Sequence, residues 1–132
     1  MQQFVDIVRQ QTDANPTRAQ VIDVYEQALD AFTHRLAGLM GPLGVQAVLD
    51  RSVQLRGKQQ PLVHEISAEA GKPSLDGLRL NTADLDVAST ETLLADFTST
   101  FLDVLCSLIG ATLVDPLVQS FGQQFRRPGT EV

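Results

Sequence analysis

At 132 residues the chain is the size of one domain, long enough to bury a core without metal or disulfide staples. A hydrophobic content of 43% excludes general disorder, and the aromatics (no Trp, one Tyr, six Phe) leave a core of Leu, Val and Ala around a few phenylalanines rather than an alternating sheet pattern. The net charge of −6 offers no basic footprint for nucleic acid.

Residues 2–12 carry Phe4, Val5, Ile7 and Val8 at helical spacing and predict a short N-terminal helix. Asn15-Pro16 is a start signal, with Asn as cap and Pro in the first helical position. The first long helix is predicted over 16–40. Its apolar residues, from Val21 and Ile22 through Leu29 and Phe32 to Leu36, Leu39 and Met40, cover an arc of about 180°. Gly41-Pro42 then stops one helix and starts the next, predicted over 42–56 with Val45, Val48, Leu49, Val53 and Leu55 on one face and Gly57 as its stop.

The stretch 58–88 is broken by Pro61, Gly71, Pro73, Gly77 and Asn81. It reads as a short helical turn near 62–70 followed by an ordered loop pinned by leucines, with a small hairpin about Asp76-Gly77. The third long helix is predicted over 89–109, capped by Ser89 or Thr90 and ended by Gly110. Its apolar face includes Leu93, Leu94, Phe97, Phe101, Leu102, Leu105, Leu108 and Ile109. A last helix, capped by Thr112 or Asp115 and tolerating Pro116 in its first turn, runs to about 125 with Leu113, Leu117, Val118, Phe121 and Phe125 inward. No internal repeat is evident. The fold class expected is all-α: an antiparallel bundle of four main helices with a short N-terminal helix and a long central connection (about 58–88). It forms a single domain over 1–132 whose ends, 1–14 and 126–132, fray.

The two arcs near 180° exceed the roughly 100° that a minimal core stripe needs. The surplus is either an interface or a surface covered by the central connection. Acids concentrate from Asp76 to Asp103 around the single Arg79, while 51–58 is locally basic. That layout reads as two solvated faces or as a dipole that guides self-association. A lone Cys106 forms no intrachain disulfide and defaults to a reducing compartment. The start lacks the basic and apolar regions of a signal peptide, and the longest uncharged apolar run, 104–114, is too short to cross a bilayer. The expectation is a cytoplasmic protein with no membrane and no nucleic-acid partner.

No phosphate-binding loop, dinucleotide fingerprint, zinc-protease motif or CxxC pair is present. Two histidines and one cysteine do not make a zinc site, and Asp84 and Asp86 lack the spacing of a calcium loop, so no metal and no cofactor is expected. Cys106, at the edge of an apolar arc, reads as inert. Arg35 and Arg56 project into apolar arcs. Each therefore snorkels, pairs with an acid, or forms an anion pocket beneath the 58–88 segment for a small acidic or amphipathic ligand. His34 lies on the polar side, where it can pair with Asp30 four residues earlier. His64, in Pro61-Leu62-Val63-His64-Glu65, is a loop or short-helix histidine, or else a ligand contact.

The run His34-Arg35-Leu36-Ala37-Gly38, followed by Leu43-Gly44-Val45, resembles the signature of histidine phosphotransfer domains. Those domains are helical bundles with an exposed phosphoacceptor histidine, and the resemblance implies that role for His34. The reading that the residues themselves carry furthest is a non-catalytic interaction or regulatory module. It binds a protein partner, foremost itself as a homodimer, through outward apolar positions on the third helix, with Leu102 and Ile109 as the interface candidates.

Overall fold

The structure, a computed structural model, describes residues 2–11, 16–81 and 84–124. In chain order it contains α1 (Gln2–Gln10), α2 (Arg18–Gly57), a 3-10 helix (Pro61–Glu65), β1 (Ser67–Glu69), β2 (Lys72–Ser74), α3 (Asp76–Asn81), α4 (Val87–Ile109) and α5 (Ala111–Gln124). The fold is all-α, with one small antiparallel hairpin. The expected cap at Asn15, the inward Phe125 and the tail 126–132 lie outside the described residues.

Local chemistry explains where each helix starts. Thr17 opens α2 through a capping box: its Oγ accepts from the Gln20 N–H, and the Gln20 side chain accepts from the Thr17 N–H. Pro16 therefore precedes the cap instead of occupying the first helical position. Gly41, at φ 79° and ψ 158°, breaks α2 into two arms, 18–40 and 42–57, as the Gly-Pro pair predicts. The cap of α4 is Asp86 rather than Ser89 or Thr90; its carboxylate accepts from the Ser89 N–H at 2.7 Å, which holds its pKa below the usual range. Gly110, at φ 86° and ψ 149°, closes α4. Helix α5 begins at once, at Ala111, so neither Thr112 nor Asp115 caps it and Pro116 lies inside the helix rather than in its first turn.

Four phenylalanines from different elements hold the core together. The rings of Phe4 (α1) and Phe121 (α5) stack at 4.6 Å, and Phe32 (first arm of α2) meets Phe4, Phe121 and Phe101 (α4) edge-on at 5.2, 5.9 and 6.1 Å. These contacts also set directions. Tyr25 meets Glu91 and Phe32 meets Phe101, so the first arm of α2 and α4 run side by side in the same sense. Arg9 meets Glu91 while Phe4 meets Phe32, so α1 runs against both. Arg9, Tyr25 and Glu91 form one network: Arg9 donates to Glu91 at 2.6 Å, and the Tyr25 hydroxyl donates to the other carboxylate oxygen. Burial and that carboxylate push the Tyr25 phenol pKa up.

Helix α4 is the centre of the fold. It is long and apolar enough to cross a membrane by length and composition, and here its apolar side chains form the core, against α1, α2 and α5. Cover from several elements explains one correction: Leu102, expected to face outward, is fully buried. Buried hydroxyls along the helices are satisfied internally, Thr33, Ser52, Thr90, Thr98 and Thr100 each donating to the carbonyl four residues earlier.

The central connection is built rather than loose. The helical turn falls at Pro61–Glu65, and the hairpin turns at Ala70-Gly71, not at Asp76-Gly77, which opens α3 instead. Both turn residues have positive φ (53° and 82°), the twist a two-residue hairpin requires. Val63, Ile66, Leu75 and Leu78 are buried and cover part of the surplus apolar surface of α2. Gln46 clamps the hairpin, accepting from the Gly71 N–H and donating to the Ala68 carbonyl. Arg79 clamps α3, reaching Asp23 and Asp76 at 2.7 Å and Glu26 at 2.8 Å, while Glu26 also accepts from the Leu75 N–H. Arg79, chiefly, holds the Glu26 carboxyl below the usual range.

Candidate functional site

The spacing from Thr17 to Gly41 equals that from Asp86 to Gly110, and Phe32 to Gly41 equals Phe101 to Gly110. Because the two helices run side by side from the Phe32–Phe101 contact, both glycine corners arrive at the same end of the fold. The two corners share one backbone conformation, and in each the chain turns directly into another helix. The structure thus shows two helix-Gly-helix units whose first helices match in length, where no repeat is evident in the sequence.

This end carries unusual side chains. Leu39 and Leu43 flank Gly41, with 53% and 80% of their surface exposed; Leu108 and Leu113 flank Gly110, at 62% and 49%. Leu108 and Leu113, expected inside, are exposed where α4 ends and α5 begins. Met40 and Ile109 lie half-buried beneath them. The runs 36–49 and 104–114 contain no charged residue, so the chain through each corner carries no charge of its own in a protein of net charge −6. Exposed leucines of this number at one end are the kind of apolar surface that contact sites use.

The other sequence-predicted residues are dispersed. His34 is exposed on the first arm of α2 and forms no hydrogen bond or ion pair among the described residues, so the expected pairing with Asp30 is not made. Gly38, one turn on, leaves open space beside it, and Ala37 stands where the phosphotransfer signature has lysine. Arg35 is half-buried and donates to the Ser120 hydroxyl of α5 at 2.6 Å. Arg56, on the second arm, reaches Thr100 of α4 and Gln59 and lines a cleft that does not include Arg35. His64 is exposed, its ring so close to Gly57 that a Cβ there would lie 2.4 Å from Nε2. Of the two interface candidates, Ile109 borders the apolar end and Leu102 does not.

Cys106 is partly buried, and burial together with Asp115 and Asp103 pushes its thiol pKa up, away from nucleophile chemistry. No group of three or more His, Cys, Asp or Glu that could hold a metal occurs among the described residues. The residues the sequence reading missed are Leu39, Leu43, Leu108 and Leu113 as outward groups. Their signal was a leucine on either side of each helix-breaking glycine.

No protein-family model matches the chain, and no match was found among the curated proteins or the solved structures.

Proposed function

We propose that this protein is a non-catalytic interaction module that self-associates through the end bearing Gly41 and Gly110. The observation that carries this reading is the exposure of Leu39, Leu43, Leu108 and Leu113, two beside each corner glycine and all in charge-free runs. Two copies that each carry a charge of −6 repel one another over most of their surfaces. The neutral apolar end is the face on which an identical copy docks without that penalty, in an isologous contact. A patch built on four leucines falls short of the ~800 Å² per partner of a standard stable interface, so the association is concentration-dependent. Sedimentation equilibrium over a wide concentration range tests it. The mass is expected to rise from monomer toward dimer and to rise further with added salt, which screens the repulsion. A strict monomer at every concentration removes the reading.

His34 supports a second reading, a phosphotransfer role, because its ring is exposed and unpartnered among the described residues. That role requires acid-labile phosphate on the chain after incubation with a small phosphoramidate donor, lost in His34→Gln. Labelling unaffected by that substitution rules it out.

A further inference from the structure

A second site stands at a different part of the fold and is independent of the self-association reading. The C-terminal end of the second α2 arm, residues 59–60 after it and the first turns of α4 line an open cleft of about 470 Å³, within the size range of small-molecule sites. Its lining is Arg56, Gln59, Gln60, Ser89, Thr92 and Asp96, over buried Leu93 and beside Ala88.

Arg56 sets the chemistry. Its Nε donates to the Thr100 hydroxyl at 3.0 Å and its Nη1 to the Gln59 side-chain oxygen at 2.8 Å. Thr100 in turn donates to the Asp96 carbonyl, so its proton is committed and its lone pair is left for Arg56. The guanidinium is therefore held in place by two neutral acceptors. Among the described residues no carboxylate lies within ion-pair distance of it, in contrast to Arg9, which has Glu91, and Arg79, which has Asp23, Glu26 and Asp76. A half-buried cation oriented by neutral groups keeps its charge uncompensated and its second Nη free for an oxyanion. Asp96 lines the same cleft without pairing to Arg56 and supplies an acceptor for a cationic or hydroxyl group. The neutral amides and hydroxyls between them suit a polar ligand, and the lining contains no aromatic ring on which a flat base could stack.

We infer that this cleft binds a small organic anion that also carries an amino or hydroxyl group, of amino-acid or hydroxy-acid type. Arg56 takes the carboxylate and Asp96 takes the amino or hydroxyl group. The test is a titration of the full chain, followed by ¹H–¹⁵N correlation spectra, with L-serine, glycolate and inorganic phosphate as separate probes. Saturable shifts are expected at amides of 56–60 and 88–96 and at the Arg56 Nε signal, with L-serine binding more tightly than glycolate. Arg56→Gln weakens the binding about tenfold or more, as the loss of a charge-assisted contact implies, while Arg35→Gln leaves it unchanged. Asp96→Asn, at an exposed position the fold tolerates, abolishes the preference for L-serine. Tighter binding of phosphate than of either carboxylate overturns the assigned ligand class. Absence of saturable shifts with all three probes, or shifts that survive Arg56→Gln, overturns the site.

Discussion

Gly41 and Gly38 sit three residues apart on one helix, and the structure predicts opposite responses to the same substitution. Gly41 has φ 79° and ψ 158°, a region that only glycine enters without strain, and no atom beyond its chain neighbours and its own helix backbone lies within 4 Å of a Cβ added there. Gly41→Ala therefore isolates backbone strain from steric clash. The strain amounts to about 1–3 kcal/mol, opposed by about 0.4–1 kcal/mol from the stiffer unfolded chain. The net loss is about 1–2 kcal/mol, or about 3–8 °C in Tm for a domain of this size. Gly38 has equally open space but helical backbone, so Gly38→Ala gains about 0.5–1 kcal/mol. Gly110→Ala, at φ 86°, should repeat the Gly41 loss. Urea unfolding of the three variants measures these differences. A Gly41→Ala protein as stable as the wild type, with unchanged helix content, would refute the corner geometry.

Four further substitutions have outcomes set by the contacts. Glu26 has a folded-state pKa below its unfolded value, so its contribution is fully present above the ordinary carboxylate range and is lost as the pH falls through the depressed value. Glu26→Gln should cost about 1 kcal/mol at neutral pH after solvent screening, and should flatten the acid limb of a stability–pH profile; an unchanged limb contradicts the clamp. Gly77→Ala drives a Cβ to 2.4 Å from the Glu65 backbone carbonyl and should cost about 1–3 kcal/mol. Gly57→Ala meets first the exposed His64 ring, which can swing aside, so its loss in urea unfolding should be the smaller. Leu102→Asp places a charge at a fully buried position and should abolish the cooperative circular-dichroism melt, whereas a retained melt would return Leu102 to the surface.

Periodicity made the helices legible, and glycine made their ends legible: both breaks, at Gly41 and Gly110, and most of the buried face of α4 can be read from the chain. What escaped depends on neighbours. Leu102 lies at the margin of a helical projection, but cover from several elements buries α4 over more than half its circumference. Leu108 and Leu113 project inward on a helical wheel, yet a wheel has no axial coordinate and does not register that both lie at a helix end. The hairpin turn hid at Ala70-Gly71 because Ala rarely adopts positive φ, while Asp76-Gly77 carries the stronger turn signal and is used to start a helix. The cleft escaped because Arg56 could be read from the second arm alone, but Asp96 and Ser89 join it only through the return of α4.

The central claim, self-association through the glycine-corner end, is tested most directly by comparing two leucines that are about equally exposed. Leu43, at the corner, and Leu80, on α3, have 80% and 79% of their surface free. Acid at 43 falls in the first turn after the break, where a helix favours negative charge, so the fold is retained. Light scattering behind a size-exclusion column should show the dimer lost in Leu43→Asp and kept in Leu80→Asp. A dimer that survives Leu43→Asp, or one lost only in Leu80→Asp, would contradict the account.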